Sequence, residues 1–179
     1  MKKATWKDIA ELVGMATIIV SLVFVVVELR QAQRIAVAAQ YQERAALVID
    51  IYNTQIESET ALSVLGPPVV EAMRSGRFPE DARVRFADHT AEQLAFEIVS
   101  SSIALTTYDN LHFQYQSGFI SDESWRAFRV RLRQNLEWPI TRAVFTEDKD
   151  IYRASFRELC EGLIAESEAA RNATTDPDR

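Results

Sequence analysis

Residues 12–27 read LVGMATIIVSLVFVVV, a stretch with no charged side chain and none of the polar face that a surface helix needs. As a helix it spans ~24 Å, a little less than the ~30 Å hydrocarbon core of a bilayer. Ile9, Ala10 and Leu29 extend the apolar length, Glu11 and Glu28 can reach toward the two interfaces, and Trp6 falls where an interfacial aromatic belongs. A buried core helix of a soluble protein is the alternative to that reading. A secretory signal would share Lys2, Lys3 and the apolar run. Here, however, the run leads into Glu28-Leu29-Arg30-Gln31 with no small-residue cleavage site, and helical patterning continues beyond it. Residues 1–30 are therefore expected to form a flank and an uncleaved transmembrane anchor.

One face of that helix differs from the rest. Gly14, Ser21 and Glu28 recur at steps of seven, Glu11 lies nearly in line, and Thr17 flanks them. Small and hydroxyl-bearing residues on one stripe let helices approach closely, which suits an interface with a second copy or a partner. The same residues are also tolerated in a lone span, and both readings stay open. The flanking charges decide little. Lys2, Lys3 and Lys7 precede the run and Arg30, Arg34 and Arg44 follow it, so the positive-inside rule gives close to a tie, with a slight lean toward a cytoplasmic domain.

The chain of 179 residues suits one small domain beside this anchor, and long stretches free of its five glycines and five prolines favour helices. Residues 31–171 are expected to be that domain. A stem helix should run from the anchor to about residue 59, stopped by Gly66-Pro67-Pro68 at the latest, with Ile35, Ala38, Ala45, Ile49, Tyr52 and Ile56 on one face. Core helices are expected over about 79–117, 122–137 and 151–170. The first carries Val84, Ala87, Leu94, Ile98, Leu105 and Tyr108 at three- and four-residue steps. The second carries Trp125, Phe128, Leu132 and Leu136, and the third Phe156, Cys160 and Leu163. Trp138-Pro139 should close the second, a short link should carry Phe145, and 172–179 should be a disordered tail. The fold expected is all-α: an N-terminal transmembrane helix continuing into a long helix, packed with a small soluble bundle.

Several landmarks recur together in other chains: Trp6, Ile9, Glu11, Gly14, Ser21-Leu22-Val23-Phe24, Glu28-Leu29-Arg30-Gln31, Arg83-Val84-Arg85-Phe86, Tyr115-x-x-Gly118-Phe119-Ile120 and Trp125. In these the sequence resembles a family of uncharacterised bacterial proteins with a single N-terminal transmembrane helix and a short helical domain. It departs from that pattern at Glu28, where glutamine is more usual, and near Val144, where relatives tend to carry tryptophan. The resemblance implies an architecture and a bacterial inner-membrane location; it implies no activity.

Chemistry is sparse. A net charge of −6 argues against a partner recognised through phosphate neutralisation, so no nucleic acid is expected. Only His89 and His112 are present, and on one continuous helix they would lie ~35 Å apart on different faces. Cys160 is the single cysteine and sits on an apolar stripe. HExxH, paired Glu-x-x-His motifs, a Gly-x-Ser-x-Gly elbow and a glycine-rich phosphate loop are all missing. No cofactor, metal or catalytic residue is expected. Ser100-Ser101-Ser102 reads as a packing point within a helix. An aromatic pocket among Tyr108, Phe113, Tyr115 and Trp125 is the place expected for any ligand. Arg126, Arg129 and Arg133 form a basic stripe suited to an anionic membrane surface, or, as the better reading, to acids on neighbouring helices. The function expected is a non-enzymatic module that acts through self-assembly or as a subunit of a larger membrane complex, with lipid as its medium. A membrane-tethered sensor or small-molecule or lipid-binding domain is the alternative.

Overall fold

The computed structural model describes residues 6–175, and among these every regular element is helical. Lys2 and Lys3, the side chain of Ile9 and the last four residues of the expected tail lie outside the described residues. Helix α1 runs without interruption over Trp6–Glu57, α2 over Glu59–Arg74, α3 over Glu80–Arg85, α4 over Ala91–Gln116, α5 over Asp122–Glu137 and α6 over Pro139–Asp148. A 3-10 turn at Lys149–Ile151 leads into α7, Ala154–Thr175.

Two compact units divide the chain, with the break after Gln40 within α1. The first contains the apolar run, whose large side chains from Leu12 to Val27 are all exposed. It is long and apolar enough to cross a membrane. The second unit begins at Tyr41, ten residues later than the expected boundary, because 31–37 are exposed and add nothing to a core. Within it, Tyr41, Ala45, Ile49, Tyr52 and Ile56 form the less exposed face of the α1 stem, at the spacing the sequence carries.

Four boundaries differ from expectation, each for a local reason. Gly66-Pro67-Pro68 does not stop a helix but lies inside α2. The break comes earlier, at Ser58, whose hydroxyl accepts from the Ala61 amide at 3.2 Å and caps α2. Gly66 is buried where α2 meets the start of α4. A Cβ there would lie 2.6 Å from the Ala91 carbonyl oxygen, so close backbone approach explains the glycine. The expected helix over 79–117 is two helices. Thr90 and Gln93 form a capping box, the Thr90 amide donating to Gln93 Oε1 at 2.8 Å and the Gln93 amide to Thr90 Oγ1 at 3.2 Å, and α4 restarts there. Val84 and Ala87 are consequently exposed rather than in the core. The link after Trp138 is helix α6, which Pro139 opens at its first position, where a missing amide costs nothing. Finally, α7 continues past Asn172 to Thr175.

Helix α6 is the keystone of the bundle. Ile140 and Ala143 pack with Ala72, Phe78, Ala82, Phe86 and Leu94 from α2, α3, α4 and the two links between them, while Val144 and Phe145 pack with Leu105, Leu132, Leu136, Phe156, Cys160 and Leu163 from α4, α5 and α7. The turn after α4 is a Schellman motif. Gly118 takes φ +82°, and Phe119 and Gly118 donate to the carbonyls of Gln114 and Tyr115, both at 2.9 Å, which reverses the chain into α5.

Candidate functional site

On the span, Gly14, Thr17, Ser21 and Glu28 are all exposed, and nothing lies within 4 Å of a Cβ built on Gly14. The hydroxyls are not free donors. Thr17 Oγ1 donates to the Val13 carbonyl at 2.8 Å and Ser21 Oγ to the Thr17 carbonyl at 2.9 Å, the back-bonding that lets hydroxyl residues sit in an apolar helix. What this stripe offers a partner is close backbone approach rather than hydrogen bonds.

The four aromatic residues expected to line one pocket, Tyr108, Phe113, Tyr115 and Trp125, do not come together around one. Tyr115 stacks on Trp125 with centroids 5.0 Å apart, and His112 covers the same indole at 5.2 Å, so rings fill the space where a ligand would sit. Phe113 lies elsewhere and stacks on Tyr41 of the stem at 4.0 Å. Tyr108 accepts from the Asn135 amide at 3.2 Å and lines a separate cleft. The cause is helical geometry: Phe113 is rotated ~100° from His112, and Tyr108 is two turns from Tyr115.

The basic stripe is largely engaged within the domain. Arg129 pairs with Glu166 of α7 at 3.3 Å, Arg133 with Glu137 one turn on at 3.4 Å, and Arg126 donates to the Asp122 carbonyl at 3.3 Å. These are exposed pairs, each contributing roughly 0–1 kcal/mol.

Arg153, unremarked in the sequence, holds a more enclosed position. Its Nε donates to Asp109 Oδ1 at 3.1 Å, and a second nitrogen reaches the Asp109 backbone carbonyl. Its guanidinium lies over Phe113 at 4.9 Å and Tyr41 at 5.9 Å. One side chain thus ties α7, α4 and the stem together. Burial raises the Asp109 carboxyl above its usual range despite the opposing pull of Arg153. His112 is buried with Nδ1 unpartnered. Desolvation first, and the Arg153 charge second, lower its pKa to about 4, so it is neutral at pH 7. Burial likewise pushes the Cys160 thiol upward, as expected of an inert core thiol.

A polar cleft of about 480 Å³ runs between α4, α5 and α6. Its floor contains the buried pair Ser101 and Thr141, whose hydroxyls share one hydrogen bond of 2.9 Å. Glu97, Arg131, Gln134 and Trp138 complete its walls, and Arg85 stacks on the Trp138 ring at 3.9 Å. Nothing in the sequence marked these residues as one site, because three helices contribute them. Ser101 does show the packing role the serine run suggested. Among the described residues no group of three or more His, Cys, Asp or Glu side chains could hold a metal ion.

No protein-family model, curated protein or solved structure matches the chain.

Proposed function

We propose that the protein is a single-pass, membrane-tethered, non-enzymatic helical module that assembles with itself or with a larger membrane complex. The observation that carries this reading is the first unit of α1. Its large apolar side chains from Leu12 to Val27 face outward on every side, and only lipid or another protein can cover such a cylinder without a large hydrophobic penalty. Gly14, Thr17 and Ser21 supply a stripe on which a second helix can approach closely. Membership of the bacterial family it resembles, an inner-membrane location and a cytoplasmic bundle belong to the same proposal.

Crosslinking in native membranes followed by sizing in mild detergent tests it. A discrete oligomer that Gly14→Leu or Ser21→Leu dissolves is the expected result. A strictly monomeric species with no co-purifying protein would overturn the assembly part, and release of the chain by alkaline carbonate would overturn the anchor.

A further inference from the structure

We propose that the cleft between α4, α5 and α6 binds a short peptide of three to four residues with free termini, its ammonium group on Glu97 and its carboxylate on Arg131. Two cross-helix contacts fix the order of groups along the cleft. Ser101 meets Thr141 at 2.9 Å and Tyr108 meets Asn135 at 3.2 Å. Glu97 lies one turn before Ser101 on α4, and Arg131 lies one turn before Asn135 on the oppositely running α5. The two charges therefore stand at opposite ends of the cleft. Their backbones are separated by ~22 Å along the helix axes at 1.5 Å per residue. With both long side chains turned inward, roughly 10–13 Å remains, the span of three to four extended residues at ~3.4 Å each.

Neither charge is otherwise committed. Among the described residues Glu97 and Arg131 enter no ion pair, a state that Arg131 shares with Arg74, Arg83 and Arg85. The floor between them also has unspent hydrogen-bonding capacity. Two hydroxyls sharing one bond leave a second proton to place. On the same helix Ser102 and Thr107 place theirs on the carbonyls one turn back, at 2.9 and 2.8 Å, whereas no carbonyl accepts from Ser101 or Thr141. Both residues are more than nine-tenths buried and line the cleft, so the spare proton is available to an acceptor within it. Gln134 and Asn135 add side-chain amides, the groups that match a peptide backbone donor for acceptor.

The test is thermal unfolding of the full chain in detergent micelles with triglycine, trialanine and tetra-alanine as probes. At least one should raise the Tm saturably. N-acetylation of the peptide should weaken binding about tenfold, as should Glu97→Gln, and the two together should weaken it no further, since both remove the same charge pair. C-terminal amidation and Arg131→Gln should behave in the same way at the other end. Both variants alter partly or fully exposed side chains, and their ligand-free Tm should match the parent. The proposal is overturned if none of the three peptides shifts the Tm saturably, if the blocked peptides bind as well as the free ones, or if both variants keep the parent affinity.

Discussion

Leu22 in the first unit of α1 and Leu132 in α5 are the same side chain in helices of the same backbone geometry, yet one is 60% exposed and the other 0%. The difference lies in their neighbours. Around Leu22 no charged side chain stands on any face between Leu12 and Val27, and the hydroxyls of Thr17 and Ser21 bond back to the helix, so no face is built to meet water while another is hidden. Around Leu132 the apolar residues recur every three or four positions, Arg126, Arg129 and Arg133 form a basic stripe beside them, and Val130 and Gln134 fall on the far side. The bundle solves its hydrophobic problem within the chain; the first unit leaves its own to the surroundings.

Four experiments can break or sharpen that contrast. The largest effect is expected at Leu132→Ala, which should destabilise the bundle by about 2–5 kcal/mol, whereas Val130→Ala two residues away should change little. Chemical unfolding in detergent, followed by near-ultraviolet circular dichroism, gives both values. Equal losses at the two positions would mean that α5 is not amphipathic in the way described.

Next comes the span. Ile19→Arg places a charge at the centre of the run at a cost of about 2.5–3.5 kcal/mol for insertion, and should shift the chain out of the carbonate-resistant membrane fraction. Val130→Arg carries the same charge on the bundle surface and should leave fractionation unchanged. Retention of the Ile19 variant would sink the anchor.

A third comparison sets two glycines side by side. Gly66→Ala forces a Cβ against the Ala91 backbone and should cost roughly 1–3 kcal/mol, while Gly162→Ala on the open face of α7 should gain roughly 0.5–1 kcal/mol from helix propensity. Thermal melts of the two variants should therefore move in opposite directions.

The last comparison is a pH window, read only as a difference between parent and variant. Because the His112 pKa lies near 4 in the folded chain and near 6.5 when unfolded, the unfolded state takes up its proton first on acidification. Stability should fall between pH 6.5 and about 4 and gain no further slope from this group below that. His112→Phe should remove that component. Asp109, whose folded pKa is raised, acts with the opposite sign, so the difference between parent and variant across pH is the quantity to measure. A difference that stays flat from pH 6.5 to 4 would place His112 in a solvated site.

Much of this architecture was legible in the residues themselves. The uncharged run, the stem stripe of Ala45, Ile49, Tyr52 and Ile56 and the Gly118 reversal are set by side chains acting within a turn or two of their own position, so periodicity and caps reveal them. The capping box at Thr90-x-x-Gln93 and the first-position proline of α6 are equally local and equally readable, but the absence of Gly and Pro through 80–117 argues locally for one continuous helix, and Pro139 fits a helix stop as well as a first-turn position. Gly66-Pro67-Pro68 could not be read correctly at short range, because the packing of α2 on α4 overrides the local penalty of the prolines. The aromatic residues proposed as a pocket failed for a related reason: proximity in sequence does not say which rings will stack on one another and fill the space. What the sequence by itself determined is where helices form and which of their faces shun water, since both follow from neighbours one turn away. Only the tertiary structure decided which faces meet. The Arg153–Asp109 tie, the Ser101–Thr141 pair and the Glu97–Arg131 cleft join residues 44, 40 and 34 positions apart, and no local rule reaches across that distance.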